Sequence, residues 1–226
     1  MGDHRQTALD PAVIDAVLFD LDGTLMDTDD QVVENLALRL QRLGWPWLYR
    51  SSRRLVMIAE TPANGLMTVL DALGLDAPLL GLWRWLGSLR GAAKEPDYRL
   101  MEDAKAMLAD LKQRYHLAIV TTRGREDAEA FLAQHGLCDI FDVIVTREDT
   151  WRLKPHPAPI RLAAERLGVP AEQCVMVGDT TVDVKSARRA GAKAVGVACG
   201  FGERGELERA QAYIVLDHVS DLSSVL

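Results

Sequence analysis

Cysteines, basic clusters and long apolar runs are all scarce in this 226-residue chain. Cys138, Cys174 and Cys199 lie far apart and form no CxxC or Cys/His group, which argues against a disulfide framework or a zinc site. No stretch approaches the ~20 uncharged apolar residues of a bilayer span. The N-terminus, Met1 to Asp10, is polar and lacks the hydrophobic run of a secretory signal. The expectation is a protein without an export signal, housed in the reducing cytoplasm, with no membrane partner and with its cysteines acting as small buried hydrophobes. No basic block exceeds Arg53-Arg54 and the formal charge is −7. Binding a phosphate backbone needs concentrated positive charge, so nucleic acid is not an expected partner. The five histidines form no HExxH or HxH arrangement.

What remains is 48% hydrophobic and 26% charged, the composition of a globular protein with a real core, expected as a monomer or homodimer. Short apolar runs rich in β-branched residues predict buried parallel strands at Val13–Phe19, Leu117–Val120, Val143–Val145, Cys174–Val177 and Ala194–Val197, with a weaker one at Tyr213–Leu216. Helical patterns lie between them. One runs to His135 and stops at Gly136, a second begins near Pro157 and stops at Gly168, and a third spans Val182–Ala190 before Gly191. Alternation of this kind with short connections implies a doubly wound parallel α/β sheet of Rossmann-like form.

One connection is far too long for a crossover helix, because nearly a hundred residues separate Phe19 from Leu117. Leucines and valines at helical spacing within it end at Gly44 and again at Gly74. The chain therefore reads as a core formed by residues 1–27 and 96–226, interrupted by a helical subdomain over 28–95. Asp27 to Asp30 would open the first helix of that insert. Its segment Trp45 to Arg54 reads more simply as aromatic packing with arginines outside than as a substrate surface, and Trp83 and Trp85 cannot both be buried on one helical face.

In an open α/β sheet, ligands sit beyond the carboxyl ends of the strands. The first predicted strand ends in Asp20-Leu-Asp22-Gly-Thr24, the second in Thr121-Thr122-Arg123, and the fourth in Gly178-Asp179-Thr-Thr-Val-Asp183, while Lys154-Pro155 follows the third. Clustered carboxylates repel one another, a cost that a hard divalent cation with oxygen ligands offsets, and Mg²⁺ is the natural candidate. Asp20 and Asp179 would supply its anionic ligands. Lys154 and the threonines would bind the oxygens of a phosphoryl group. Asp20 is then placed to act as a nucleophile, since a carboxylate can form an aspartyl-phosphate.

The set DLDGT at Asp20–Thr24, Thr121 closing a strand, KPHP at Lys154 and GDTTVD at Asp179–Asp183 resembles the haloacid dehalogenase superfamily. The likeness is to its phosphatase branch with a helical C1-type cap, of the phosphoglycolate phosphatase-like kind, and it extends over about residues 13 to 200. It implies that Asp20 becomes phosphorylated and binds the metal. Asp22 would give its backbone carbonyl to the metal while its side chain protonates the leaving group and then activates water. Thr121, and less specifically Thr122, would hold phosphoryl oxygens beside Lys154. Asp179 would complete the metal site, and Asp183 would orient a metal-bound water or the lysine. The insert would be the cap.

A carbon–halogen-cleaving relative would lack an acid at Asp22, so a Mg²⁺-dependent phosphatase acting on a small phosphorylated metabolite is the expected activity. A phosphosugar mutase of the β-phosphoglucomutase type shares the same core motifs. A non-catalytic module sensing a phosphate ligand is the alternative from another class. Thr122-Arg123 stands where many close relatives carry Asn followed by Lys or Arg.

Overall fold

The computed structural model describes residues 9–27 and 99–226. The helical subdomain expected over 28–95, its aromatic segment and its junction with the core lie outside the described residues.

A six-stranded parallel sheet forms the frame. In chain order its strands are β1 (Ala16–Phe19), β4 (His116–Val120), β5 (Val143–Val145), β6 (Cys174–Gly178), β7 (Lys193–Val197) and β8 (Ile214–Leu216), arranged in space as β5-β4-β1-β6-β7-β8. Two further strands, β2 (Met26–Asp27) and β3 (Arg99–Leu100), form a short antiparallel pair in which Asp27 faces Arg99. Five helices accompany them among the described residues: α1 (Ala104–Leu111), α2 (Arg125–His135), α3 (Ala158–Leu167), α4 (Thr181–Ala190) and α5 (Arg204–Arg209).

Apart from His116 and Lys193 at the starts of β4 and β7, the strands of this sheet are apolar, because both of its faces are covered. Val17 and Phe19 of β1 join Leu117, Ile119, Val175 and Val177 on one face, under Leu108, Phe131 and Leu132 of the helices. Ala16 and Leu18 join Ala118, Val120 and Met176 on the other, under Ile160, Ala163 and Val184. This is the two-residue alternation of a strand with a core on each side. Each large side chain so buried contributes about 1.5–3 kcal/mol.

The three helix stops read from the sequence hold. Gly136, Gly168 and Gly191 close α2, α3 and α4 with φ of 63°, 71° and 94°, a left-handed conformation that glycine adopts without a Cβ penalty. Three expectations need correction. The first strand starts at Ala16 rather than Val13, because Pro11–Val13 forms a 3₁₀ turn capped by Asp10 and Val13 is exposed. Asp27 belongs to β2 rather than to a helix N-terminus. Cys138 is exposed, whereas Cys174 is buried and Cys199 half-buried.

The sheet order positions the site. β1 pairs with β4 on one side and β6 on the other, with Phe19 level with both Ile119 and Val177. The residues that leave these three strands, Asp20, Thr121 and Asp179, therefore emerge side by side at one carboxyl edge.

Candidate active site

Directly after β1 the chain folds into a tight turn. The carbonyl of Leu21 accepts the amides of Thr24, Leu25 and Met26 at 3.2, 3.0 and 2.8 Å, and Gly23 takes a φ of 66°. This turn keeps Asp20 and Asp22 at the sheet edge. Asp20 is buried, and its Oδ1 accepts the Leu21 amide at 2.8 Å.

Lys154 arrives from the loop after β5. Its ammonium donates to the Val120 carbonyl at 3.0 Å and to Asp183 Oδ1 at 2.6 Å, and it lies 3.0 Å from Asp20 Oδ1. The loop behind it is fastened to α4, because the Ser186 hydroxyl donates to the His156 carbonyl at 2.7 Å. Burial by itself would lower the lysine pKa; the carboxylates of Asp183 and Asp20 outweigh that effect and push it above the ordinary value.

Asp183 has both oxygens engaged. Oδ2 accepts the Thr180 amide at 3.1 Å and the Thr180 hydroxyl at 2.5 Å, closing a capping box at the start of α4, while Oδ1 takes the lysine. Gly178 is required beside it, since a Cβ there would overlap the Asp183 carboxyl. The acid both caps the helix and fixes Lys154.

Asp179 is buried, and its surroundings were not read from the sequence. Its Oδ2 accepts the Phe201 amide at 2.7 Å from the turn after β7, and Cβ atoms at Gly23 or Gly200 would overlap that carboxyl group. At Gly202 a Cβ would overlap the Asp179 carbonyl oxygen. Oδ1 is buried with no hydrogen-bond partner, as is the Thr24 hydroxyl. The signal for this cradle was available in the Gly200-Phe-Gly202 sequence just beyond a strand end.

Asp20, Asp179 and Asp183 each offer an oxygen within 4.8 Å of the others. Burial first, then the charges of Asp183 and Asp22, push the Asp20 pKa up to about 7 against the pull of Lys154. Asp179 is pushed well above the usual carboxylate range by burial and then by Asp183 and Asp20. A pocket of hard oxygen donors that resists holding its own charges, with one buried oxygen unpartnered, fits a small divalent cation. Both Asp183 oxygens, Asp20 Oδ1 and Asp179 Oδ2 are already engaged, so the oxygens suited to a cation are Asp20 Oδ2 and Asp179 Oδ1.

The other expected residues divide. Thr121 is buried and its Oγ1 accepts the Arg123 amide at 3.1 Å, whereas Thr122 is exposed on the same turn. Asp22 is partly exposed and gripped by Arg123. Nε donates to both of its oxygens at 2.9 and 2.7 Å, and Nη2 donates to Oδ1 at 2.6 Å. Only the neighbourhood of Arg123 to Thr121 in the sequence hinted at this pair.

The profile of the family described as haloacid dehalogenase-like hydrolases matches residues 17–197. The chain belongs to this family. It is 31% identical over 214 residues to the pyrophosphatase PpaX of Bacillus mycoides (strain KBAB4), covering 94% of this chain and 97% of the relative. Among solved structures it resembles a haloacid dehalogenase-like hydrolase from Bacteroides fragilis, with a TM-score of 0.70, 26% identity and coverage of 92% and 99% of the two chains. A Thermotoga maritima chain described as a β-phosphoglucomutase matches with a TM-score of 0.68 and 25% identity over 94% and 98%. This haloacid dehalogenase-like hydrolase is accordingly an enzyme of the phosphatase class. Among its described residues no helix is long and apolar enough to cross a membrane.

Proposed function

We propose that the enzyme hydrolyses a small phosphorylated metabolite in two steps, with Asp20 as nucleophile and Mg²⁺ as cofactor. The observation that carries this reading is the buried contact of Lys154 with Asp20 at 3.0 Å and with Asp183 at 2.6 Å, beside an Asp179 oxygen left without a partner. Lys154 and Thr121 bind the non-bridging oxygens of the phosphoryl group. An Asp20 oxygen attacks phosphorus, the bond to the leaving oxygen breaks, and that oxygen takes its electron pair and a proton from the Asp22 carboxyl. Water then gives a proton to Asp22 and attacks the phosphoaspartate, which releases inorganic phosphate and restores Asp20.

Asp20 and Asp179, with the backbone carbonyl of Asp22, would hold Mg²⁺, which neutralises charge on the phosphoryl oxygens when bound. Asp183 works through Lys154. Thr122, exposed, is at most a backbone contributor. Residues 28–95 would supply the substrate-selecting cap, and three widely spaced cysteines with no CxxC pattern fit a cytoplasmic setting.

The pyrophosphatase relatives bring inorganic pyrophosphate forward as a specific candidate substrate. The Thermotoga likeness favours a second reading, phosphoryl transfer within a sugar phosphate. Release of inorganic phosphate separates the two. The test is hydrolysis of p-nitrophenyl phosphate and pyrophosphate with and without Mg²⁺, and loss of turnover in Asp20→Asn. A pure, Mg²⁺-supplied protein that neither releases phosphate from a broad metabolite panel nor moves it within any member, yet still binds the panel's members, would establish a sensing module instead.

A further inference from the structure

We propose that Arg123 is the positioning residue for the acid–base group Asp22, so that its effect on the reaction depends on how poor the leaving group is. This rests on the reading of Asp22 given above. The two side chains come from loops 101 positions apart in sequence, one after β1 and one after β4. Both are about a quarter exposed, with side-chain exposures of 27% and 29%, so packing does not by itself fix the Asp22 rotamer. The guanidinium does.

The grip is asymmetric. Oδ1 accepts two N–H groups, from Nε and Nη2, whereas Oδ2 accepts only Nε. Oδ2 therefore keeps a lone-pair position for the proton that is passed to the leaving oxygen. Arg123 is itself anchored at the site, since its amide donates to Thr121 Oγ1 at 3.1 Å. One residue thus ties the phosphate-binding threonine to the acid. A lysine cannot replace it, because an ammonium is a point donor without the planar fork that sets the carboxyl plane.

Proton donation matters most when the departing oxygen is basic. With p-nitrophenolate it contributes little to the first step; with an alkoxide it contributes most, typically 10²–10⁴-fold for a well-placed acid. The experiment measures kcat/KM, which reports transfer to Asp20, for p-nitrophenyl phosphate and for an alkyl phosphate in the wild type, Arg123→Lys, Arg123→Ala, Asp22→Asn and the Arg123→Ala/Asp22→Asn double variant. The expected result is a fall of at least roughly tenfold on the alkyl ester in both arginine variants, with less than about threefold on the aryl ester. The double variant should be no worse than Asp22→Asn alone.

Equal losses on both esters at unchanged melting temperature would overturn the proposal and make Arg123 a substrate-charge contact. A gain in alkyl-ester activity in Arg123→Ala would also overturn it, making the pair a restraint that keeps Asp22 away from substrate. Should Asp22→Asn itself show no dependence on leaving group, the reading of Asp22 fails, an outcome distinct from failure of the arginine variants alone. Arg123→Lys keeps the charge of a partly exposed site, so a folding defect in the alanine variant still leaves a decisive measurement.

Discussion

Asp183 holds Lys154 at 2.6 Å through one carboxylate oxygen while the other closes the capping box with Thr180. A helix cap and the placement of a buried ammonium thus depend on one side chain. An asparagine has a single acceptor oxygen, so Asp183→Asn turns an NH₂ group toward either the lysine or the Thr180 amide. The expected cost is about 3 kcal/mol, because breaking a buried pair leaves the lysine with Asp20 alone to compensate its charge. Urea unfolding checks this. Activity should fall roughly 100-fold or more with the loss of a fixed phosphoryl contact.

The glycine cradle of Asp179 makes a separate prediction. A Cβ at Gly202 would meet the Asp179 backbone rather than a flexible side-chain end, so Gly202→Ala should displace the whole residue. Mg²⁺ affinity, measured by calorimetry on the full chain, is expected to weaken at least roughly tenfold, as it does when groups that orient metal ligands are lost. Unchanged affinity would show that the turn after β7 does not set the position of Asp179.

Cation binding should stabilise the fold in a pH-dependent manner. Asp20, at about 7, and Asp179, well above the usual range, bind protons more tightly in the folded chain than when unfolded. Without metal, their contribution to stability is present at low pH and lost as pH rises from about 4 through about 7. A cation competes with those protons. The Mg²⁺-induced rise in melting temperature should therefore grow between pH 5 and pH 8. At metal concentrations near 100 times Kd it should reach about 5–10 °C. Scanning calorimetry with Mg²⁺ and with EDTA tests this, and Asp179→Asn should abolish most of the shift.

Asp149 predicts the opposite sign at acid pH. Burial raises its pKa, but the amide and hydroxyl of Thr146, a bond from Arg166 and the charge of Arg125 outweigh it and hold the group at about 2. Stability from this network is fully present above the ordinary value of 3.8 and is lost as pH falls through about 2. The shift corresponds to something on the order of 2 kcal/mol. Asp149→Ala should be destabilised relative to wild type at pH 6, and the gap should narrow by pH 2.5. A gap independent of pH would make the residue a neutral hydrogen-bond acceptor.

The sequence by itself determined the strands of the parallel sheet, three helix stops and which charged residues stand at the strand ends. Continuous apolar runs as short and as rich in β-branched residues as Leu117–Val120 and Cys174–Val177 suit the interior of a sheet covered on both faces. Gly136, Gly168 and Gly191 end helices because they take φ above zero without strain. Asp20, Asp179 and Lys154 were legible because such groups have little reason to collect at strand ends unless they bind charge. The start of β1 was not, since the exposure of Val13 depends on the turn that Asp10 and Pro11 impose.

Only the tertiary structure decided which charges face each other. The strand order placed β1 between β4 and β6, and with it Arg123 against Asp22 across 101 positions of sequence. It also brought the glycines after β7 onto Asp179 and the lysine onto Asp183. Local patterns carry the periodicity of burial. A long-range ion pair depends on register and loop path, which no short window of residues contains.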